Sequence, residues 1–302
     1  MAIILGAVFP VFALLLLGYW AHRSEFLNDA FWGQAEKATY YVLFPCLLVS
    51  QLVQAKLEWH NTLPLMLGAC LLPIVASLLS LSFKPLLRLN APDLTSFFQA
   101  SVRFNTYIGL ALAAVLPKPA LTYAAVVFAV MIPVINVLCI LVFAVFIQGM
   151  IHPIAIARSL AKNPLILGCM IGIFLNVLPW SLPSPLLDLL AKLGHMGLPL
   201  GLLAVGAGLQ FQGLRQTGTA FALSAMLKLS LMPLIATALA YLLGLNALAS
   251  SVLILFSALP TASSSYILAR QLGGNAPLMA AMITGQTVLS MMSLPLILLW
   301  IS

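Results

Sequence analysis

The chain has 302 residues, 63% of them hydrophobic and 6% charged, with a formal net charge of +7 and a mean hydropathy of +1.14. Soluble domains carry about 25% charged residues, so this composition cannot supply a water-facing surface. It excludes a soluble fold and predicts an all-α integral membrane protein, a single domain over residues 1–302 with short loops.

A crossing helix needs roughly 17–25 predominantly apolar residues. On that measure ten spans are predicted, at 3–21, 38–55, 62–83, 94–116, 121–147, 163–179, 185–210, 218–243, 247–272 and 276–301. The opening Met1-Ala-Ile-Ile-Leu-Gly6 has no basic segment and no small-residue cleavage site, so it is read as the first span and not as a signal peptide. Turn or charge signals separate the spans, among them His22-Arg23-Ser24, Asn90-Ala91-Pro92-Asp93 and Gly273-Gly274-Asn275. Prolines inside spans, such as Pro10, Pro133 and Pro260, are tolerated because neighbouring helices satisfy the freed carbonyls. Cys46, Cys70, Cys139 and Cys169 lie in spans at neither metal nor disulfide spacing and read as small buried residues.

Basic residues set the orientation. With the N-terminus outside, the loops after spans 1, 3, 5, 7 and 9 become cytoplasmic. These hold Arg23, Lys37, Lys84, Arg88, Arg158, Lys162, Arg215 and Arg270, against Lys56 and Lys118 on the other side. Eight against two is a positive-inside bias that places both termini outside. The net charge is therefore mainly topology and does not argue for nucleic-acid binding.

Spans 6–10 repeat spans 1–5 at an offset of about 155 residues. A duplicated block with an odd number of spans must sit inverted relative to its twin, here with repeat 1 over about 1–150 and repeat 2 over about 160–302. The polar stretches Gln99–Gly109 in span 4 and Ser257–Tyr266 in span 9 fall at corresponding positions. Pro260 removes a helix donor, and Thr261, Ser263, Ser264 and Ser265 can then serve backbone groups or a ligand. The plainer alternative is a proline kink eased by local hydroxyls.

Charges inside a membrane are costly. Arg103 in span 4 and Lys228 in span 8 both fall near mid-depth, with no carboxylate at comparable depth, which favours an anionic substrate over structural pairing. Asp188 and Lys192, spaced i,i+4, read as a local ion pair, and His195 as a structural histidine. All six acidic residues lie in loops or near span ends, leaving proton coupling without an obvious carrier. Asn136, Thr284, Gln286 and Thr287 remain candidates for holding sodium. An anion leaving the cytoplasm needs neither ion, because the membrane potential drives it out by about 2.3 kcal/mol per charge per 100 mV.

Leu43-Phe-Pro-Cys-Leu-Leu48, Arg103-Phe-Asn-Thr-Tyr-Ile-Gly-Leu110, Lys162-Asn-Pro-Leu165 and Ala258-Leu-Pro-Thr-Ala262, in this order and spacing, resemble the auxin efflux carrier family. That family includes plant PIN carriers and bacterial carriers of small organic acids. The resemblance implies two inverted five-helix repeats, similar to bile acid:sodium symporters. Helices 1, 2, 6 and 7 would form a scaffold, and helices 3–5 and 8–10 a mobile unit carrying substrate at the crossing of broken helices 4 and 9. Asn105 and Pro260 would mark the two breaks. The family's plant members have a proline before that asparagine where this chain has Phe104, so the first break is expected to be softer, with Gly109 helping it bend.

The reading is a secondary transporter of the cell membrane that exports a small organic anion by an elevator movement. The anion is an auxin-like monocarboxylate or a dicarboxylate such as malate or malonate. The alternative is a sodium-coupled symporter of the bile-acid type. Arg103, Asn105, Thr106, Gly109, Asn136, Lys228, Pro260, Thr261, Ser263 and Gln286 are the candidate substrate-binding residues. No cofactor, metal or nucleic acid is expected, and partners are the lipid bilayer and the anion. An intramembrane enzyme lacks support, since neither a His-Glu-x-x-His nor a Gly-x-Ser-x-Gly motif is present. A homodimer through the scaffold is implied by the resemblance, and Gly168 and Gly172 serve internal packing as readily as a dimer seam.

Overall fold

The computed structural model describes residues 2–55, 59–117, 119–150, 153–178, 182–212, 214 and 218–301; Lys56, Lys118 and Arg215, counted above, lie outside the described residues. The secondary structure among the described residues is helical, with no strand. α1 (Ala2–Arg23) precedes a nearly unbroken run over 29–53, made of α2 (Asp29–Ala38), a π turn (Thr39–Leu43) and α3 (Phe44–Val53). α4 (Trp59–Ser82) and the short α5 (Lys84–Leu87) lead to α6 (Ala91–Val102) and α7 (Thr106–Ala113). α8 (Ala120–Phe143) runs through a second π turn (Ala144–Gln148) toward α9 (Pro153–Ala161), α10 (Pro164–Val177) and α11 (Ser184–Ala207). α12 (Gly218–Met226), a third π turn (Leu227–Leu231) and α13 (Met232–Leu242) form another long run. α14 (Ala247–Ser257), α15 (Ser264–Leu272) and α16 (Ala276–Ile301) follow.

Five runs among the described residues are long and apolar enough to cross a membrane: Thr62–Leu87, Ala120–Gln148, Ser184–Ala207, Gly218–Leu242 and Ala276–Ile301. They match predicted spans 3, 5, 7, 8 and 10. Spans 4 and 9 fall short because each is split in two, into α6 with α7 and α14 with α15. Span 2 begins nine residues early, at Asp29, because Asn28 accepts the Phe31 N–H at 2.9 Å and starts the helix there. α9 was not among the predicted spans.

Lipid tails are as apolar as leucine, so close packing and hydrogen bonds hold membrane helices together. α1 and α11 show the closest approach. A β-carbon at Gly18 would overlap the Leu203 carbonyl, and one at Gly206 the Leu15 carbonyl, so the two backbones touch. Gly168 and Gly172 seat α10 against Pro45, Val49 and Leu52 of α3. Their spacing thus serves packing within this chain. The core gathers around the α6–α7 break, where Phe104, Phe128 and Phe256 pack with ring centroids 4.8–5.9 Å apart.

Three expectations are corrected. The first break is not soft: Arg103 (ψ 153°) and Asn105 (ψ 105°) are fully extended. Asn105 makes the break sharp without a proline by accepting the N–H groups of Tyr107 (3.0 Å) and Ile108 (3.2 Å), which starts a new helix. Gly109 does not bend anything, since it lies within α7, pressed against Leu259 and Phe256. Asp188 and Lys192 are both exposed and unpaired; the ion pair seen among the described residues is His22–Asp29, at 2.7 Å.

Candidate functional site at the crossing of two interrupted helices

The two breaks meet. The Asn105 N–H donates to the Pro260 carbonyl at 2.7 Å, joining the α6–α7 gap to the α14–α15 gap. A second tie lies at the far end of α6. There the Asn275 amide donates to the Asp93 carboxylate at 2.7 Å, and Ser96 donates to the Asn275 carbonyl at 3.1 Å. Gln286 of α16 fastens the centre: its Oε1 accepts the Thr261 N–H at 3.0 Å, and its Nε2 donates to the Ala100 carbonyl at 3.1 Å and to Ser224 at 3.2 Å.

Beside this crossing opens a cavity of about 540 Å³. Arg103, the residue that ends α6, reaches into it because its extended backbone turns the side chain away from the helix. Nη1 donates to Asn136 Oδ1 and Nη2 to Ser264 Oγ, both at 3.1 Å, while the buried Nε has no hydrogen-bond partner. No carboxylate among the described residues pairs with it. The guanidinium therefore rests on neutral partners, the Asn136 and Ser264 oxygens with the Cys139 thiol beside it, which leaves its attraction for an anion largely unspent. Tyr40, Tyr41, Phe44 and Tyr107 form an aromatic wall, and exposed Lys37, Lys162 and Gln271 stand at the mouth.

Of the predicted site residues, Arg103, Thr106, Asn136 and Ser263 line this cavity. Asn105, Pro260, Thr261 and Gln286 lie behind it as the buried framework of the crossing. Gly109 is in the helix core, and Lys228 lines no part of the cavity. Three of the four sodium candidates are engaged, Asn136 Oδ1 and Gln286 Oε1 by the bonds just given and Thr284 Oγ1 by the Gln210 N–H at 2.8 Å, whereas the buried Thr287 hydroxyl has no partner among the described residues. His195 is exposed on α11, outside the cavity.

Sequence reasoning missed Glu36. It sits beyond the predicted start of span 2, where an acid reads as a loop residue. The early start of α2 instead carries it into the cavity wall, which Ser263 also lines. Its position one turn before Tyr40 on a helix with buried Trp32, Ala35 and Thr39 was the available signal.

An all-helical chain with long apolar helices, and with a charged cavity at two interrupted helices, has the build of a multi-pass membrane protein. Residues 149–298 match the model of a family described as membrane transport protein. Over 128 residues it is 30% identical to an uncharacterized transporter of Methanothermobacter thermautotrophicus. That alignment spans 42% of this chain and 42% of the relative's length. The family match takes in α9 to α15 and most of α16 but leaves out Arg103 and Glu36.

Proposed function

We propose that the chain is a carrier of the plasma membrane that moves a small organic anion outward by an elevator movement. The observation that carries this reading is Arg103: a guanidinium without a carboxylate partner, held at the crossing of two broken helices and facing a cavity. A carboxylate is the ligand whose geometry matches the guanidinium fork. The volume admits either a dicarboxylate or an aromatic acid against the tyrosine wall.

The ten-span inverted arrangement is supported by element spacing. The run 29–53 and α11 (Ser184–Ala207) start 155 residues apart, and Asn90 and Asn246, which cap α6 and α14, stand 156 apart. Helices 1, 2, 6 and 7 of that scheme (α1, the 29–53 run, α10 and α11) form the scaffold. The elements from α4 to α8 and from α12 to α16 form the mobile unit. Both termini lie outside, and the cavity mouth, at Lys37 and Lys162, faces the cytoplasm, so this is the inward-open state.

Uniport is favoured over sodium symport because most of the oxygens that would hold sodium already accept protein donors. The test is uptake of labelled malonate, malate and indole-3-acetate into proteoliposomes, with an imposed potential of either sign, with and without sodium. Flux of one of these that follows the potential without sodium is expected. Strict sodium dependence would move the chain to the symporter reading, and absence of any saturable flux would remove the carrier reading.

A further inference from the structure

Lys228 takes no part in the cavity, yet it is a lysine that is only 3% exposed. It stands in the π turn Leu227–Leu231, a local widening of the helix that often marks functional sites. Its Nζ lies 3.5 Å from the Val102 carbonyl, the last of α6, and 5.9 Å from the centroid of the Phe104 ring. No ion pair is formed with it among the described residues.

The break explains why a cation is wanted there. The last carbonyls of a helix lack intrahelical donors and carry about half a negative elementary charge. In α6 three of the last four carbonyls have donors. Gln99 O receives the Arg103 N–H at 2.9 Å and the Thr261 hydroxyl at 3.4 Å, and Ala100 O receives the Gln286 amide. Val102 O is left to Lys228. Ser224, one turn before Lys228 on the same helix, steadies Gln286 from the same side. A neutral donor satisfies a carbonyl's hydrogen bond but not the charge of the helix end. Only a cation does both.

We infer that Lys228 is a tethered counter-cation for the interrupted end of α6, doing with its ammonium what a bound sodium or potassium ion would otherwise do. The inference rests on the carrier reading for its consequence: the carrier cycles without a coupled cation because one is built in. Lys228 is a positioning residue, acting through Val102 on its neighbour Arg103, and touches no substrate itself.

The test uses the purified full chain and the variants Lys228→Ser and Lys228→Arg. Thermal unfolding in detergent is compared in sodium, potassium and choline chloride at equal ionic strength. Wild type and Lys228→Arg are expected to melt alike in all three salts. Lys228→Ser should melt lower in choline and recover in sodium or potassium, the two arms showing which ion fits. Its anion flux in choline should fall at least tenfold and rise several-fold with the same ion. Equal melting of Lys228→Ser in all salts would overturn the inference. So would a rise in wild-type melting temperature with sodium or potassium, a result obtained even where Lys228→Ser does not fold. Absence of flux from wild type with the salt pattern intact would sink the carrier reading and leave the tethered cation standing.

Discussion

Arg103 and Glu36 face one cavity from different helices, and their charges divide the work of recognising an anion. Replacing Arg103 with Gln removes a charge-assisted pair worth about 1.5–3 kcal/mol. Apparent affinity for the transported anion should therefore fall about 10- to 100-fold, while the fold, which the Arg103 side chain supports only through neutral neighbours such as Asn136 and Ser264, stays intact. Arg103→Lys keeps the charge but loses the fork, and should fall between the two. Initial-rate uptake at varied substrate reads all three; unchanged affinity in Arg103→Gln would discard the anchor. Glu36 works the other way. A carboxylate on the same cavity repels the incoming anion whenever it is ionised, so Glu36→Gln should lower the apparent KM several-fold at a pH where Glu36 is charged. A raised KM would instead make Glu36 a support for the substrate.

At the scale of elements, the interruption between α6 and α7 depends on capping chemistry. Asn105 satisfies two N–H groups of α7 with its side chain and gives its own N–H to Pro260. Asn105→Ala should cost about 1 kcal/mol of stability and slow turnover, while Asn105→Asp should keep the cap. Thermal unfolding alongside flux checks this, and equal stability of the Ala variant would mean the break is held by Pro260 alone. The sequence made the two breaks legible because polar stretches at matching positions in apolar spans have few explanations. It misjudged the sharpness of the first, since a missing proline was weighed and the cap at Asn105 was not. The long spans were readable from hydropathy. The start of α2 was not, because its first turns are polar and become cavity wall only through packing against elements far along the chain. Lys228 shows the same limit: depth in the membrane could be counted from sequence, but the helix end it faces could not.

For the whole molecule, the proposed orientation makes a sided prediction. With Cys46 and Cys70, the two partly exposed cysteines, replaced, Ser263→Cys should react with a membrane-impermeant maleimide from the cytoplasmic face. The transported anion should protect it. Labelling from the outside alone would invert the topology. The backbone-to-backbone seating of α1 on α11 reaches further, into how the protein is made. Gly18 and Gly206 belong to opposite halves of the chain. At about 5–20 residues per second of synthesis, α1 waits on the order of 10–40 s in the lipid before its partner emerges. During that interval the first half has no finished surface to close on, and assembly is a post-insertion event in which an early helix must still be free to receive a late one.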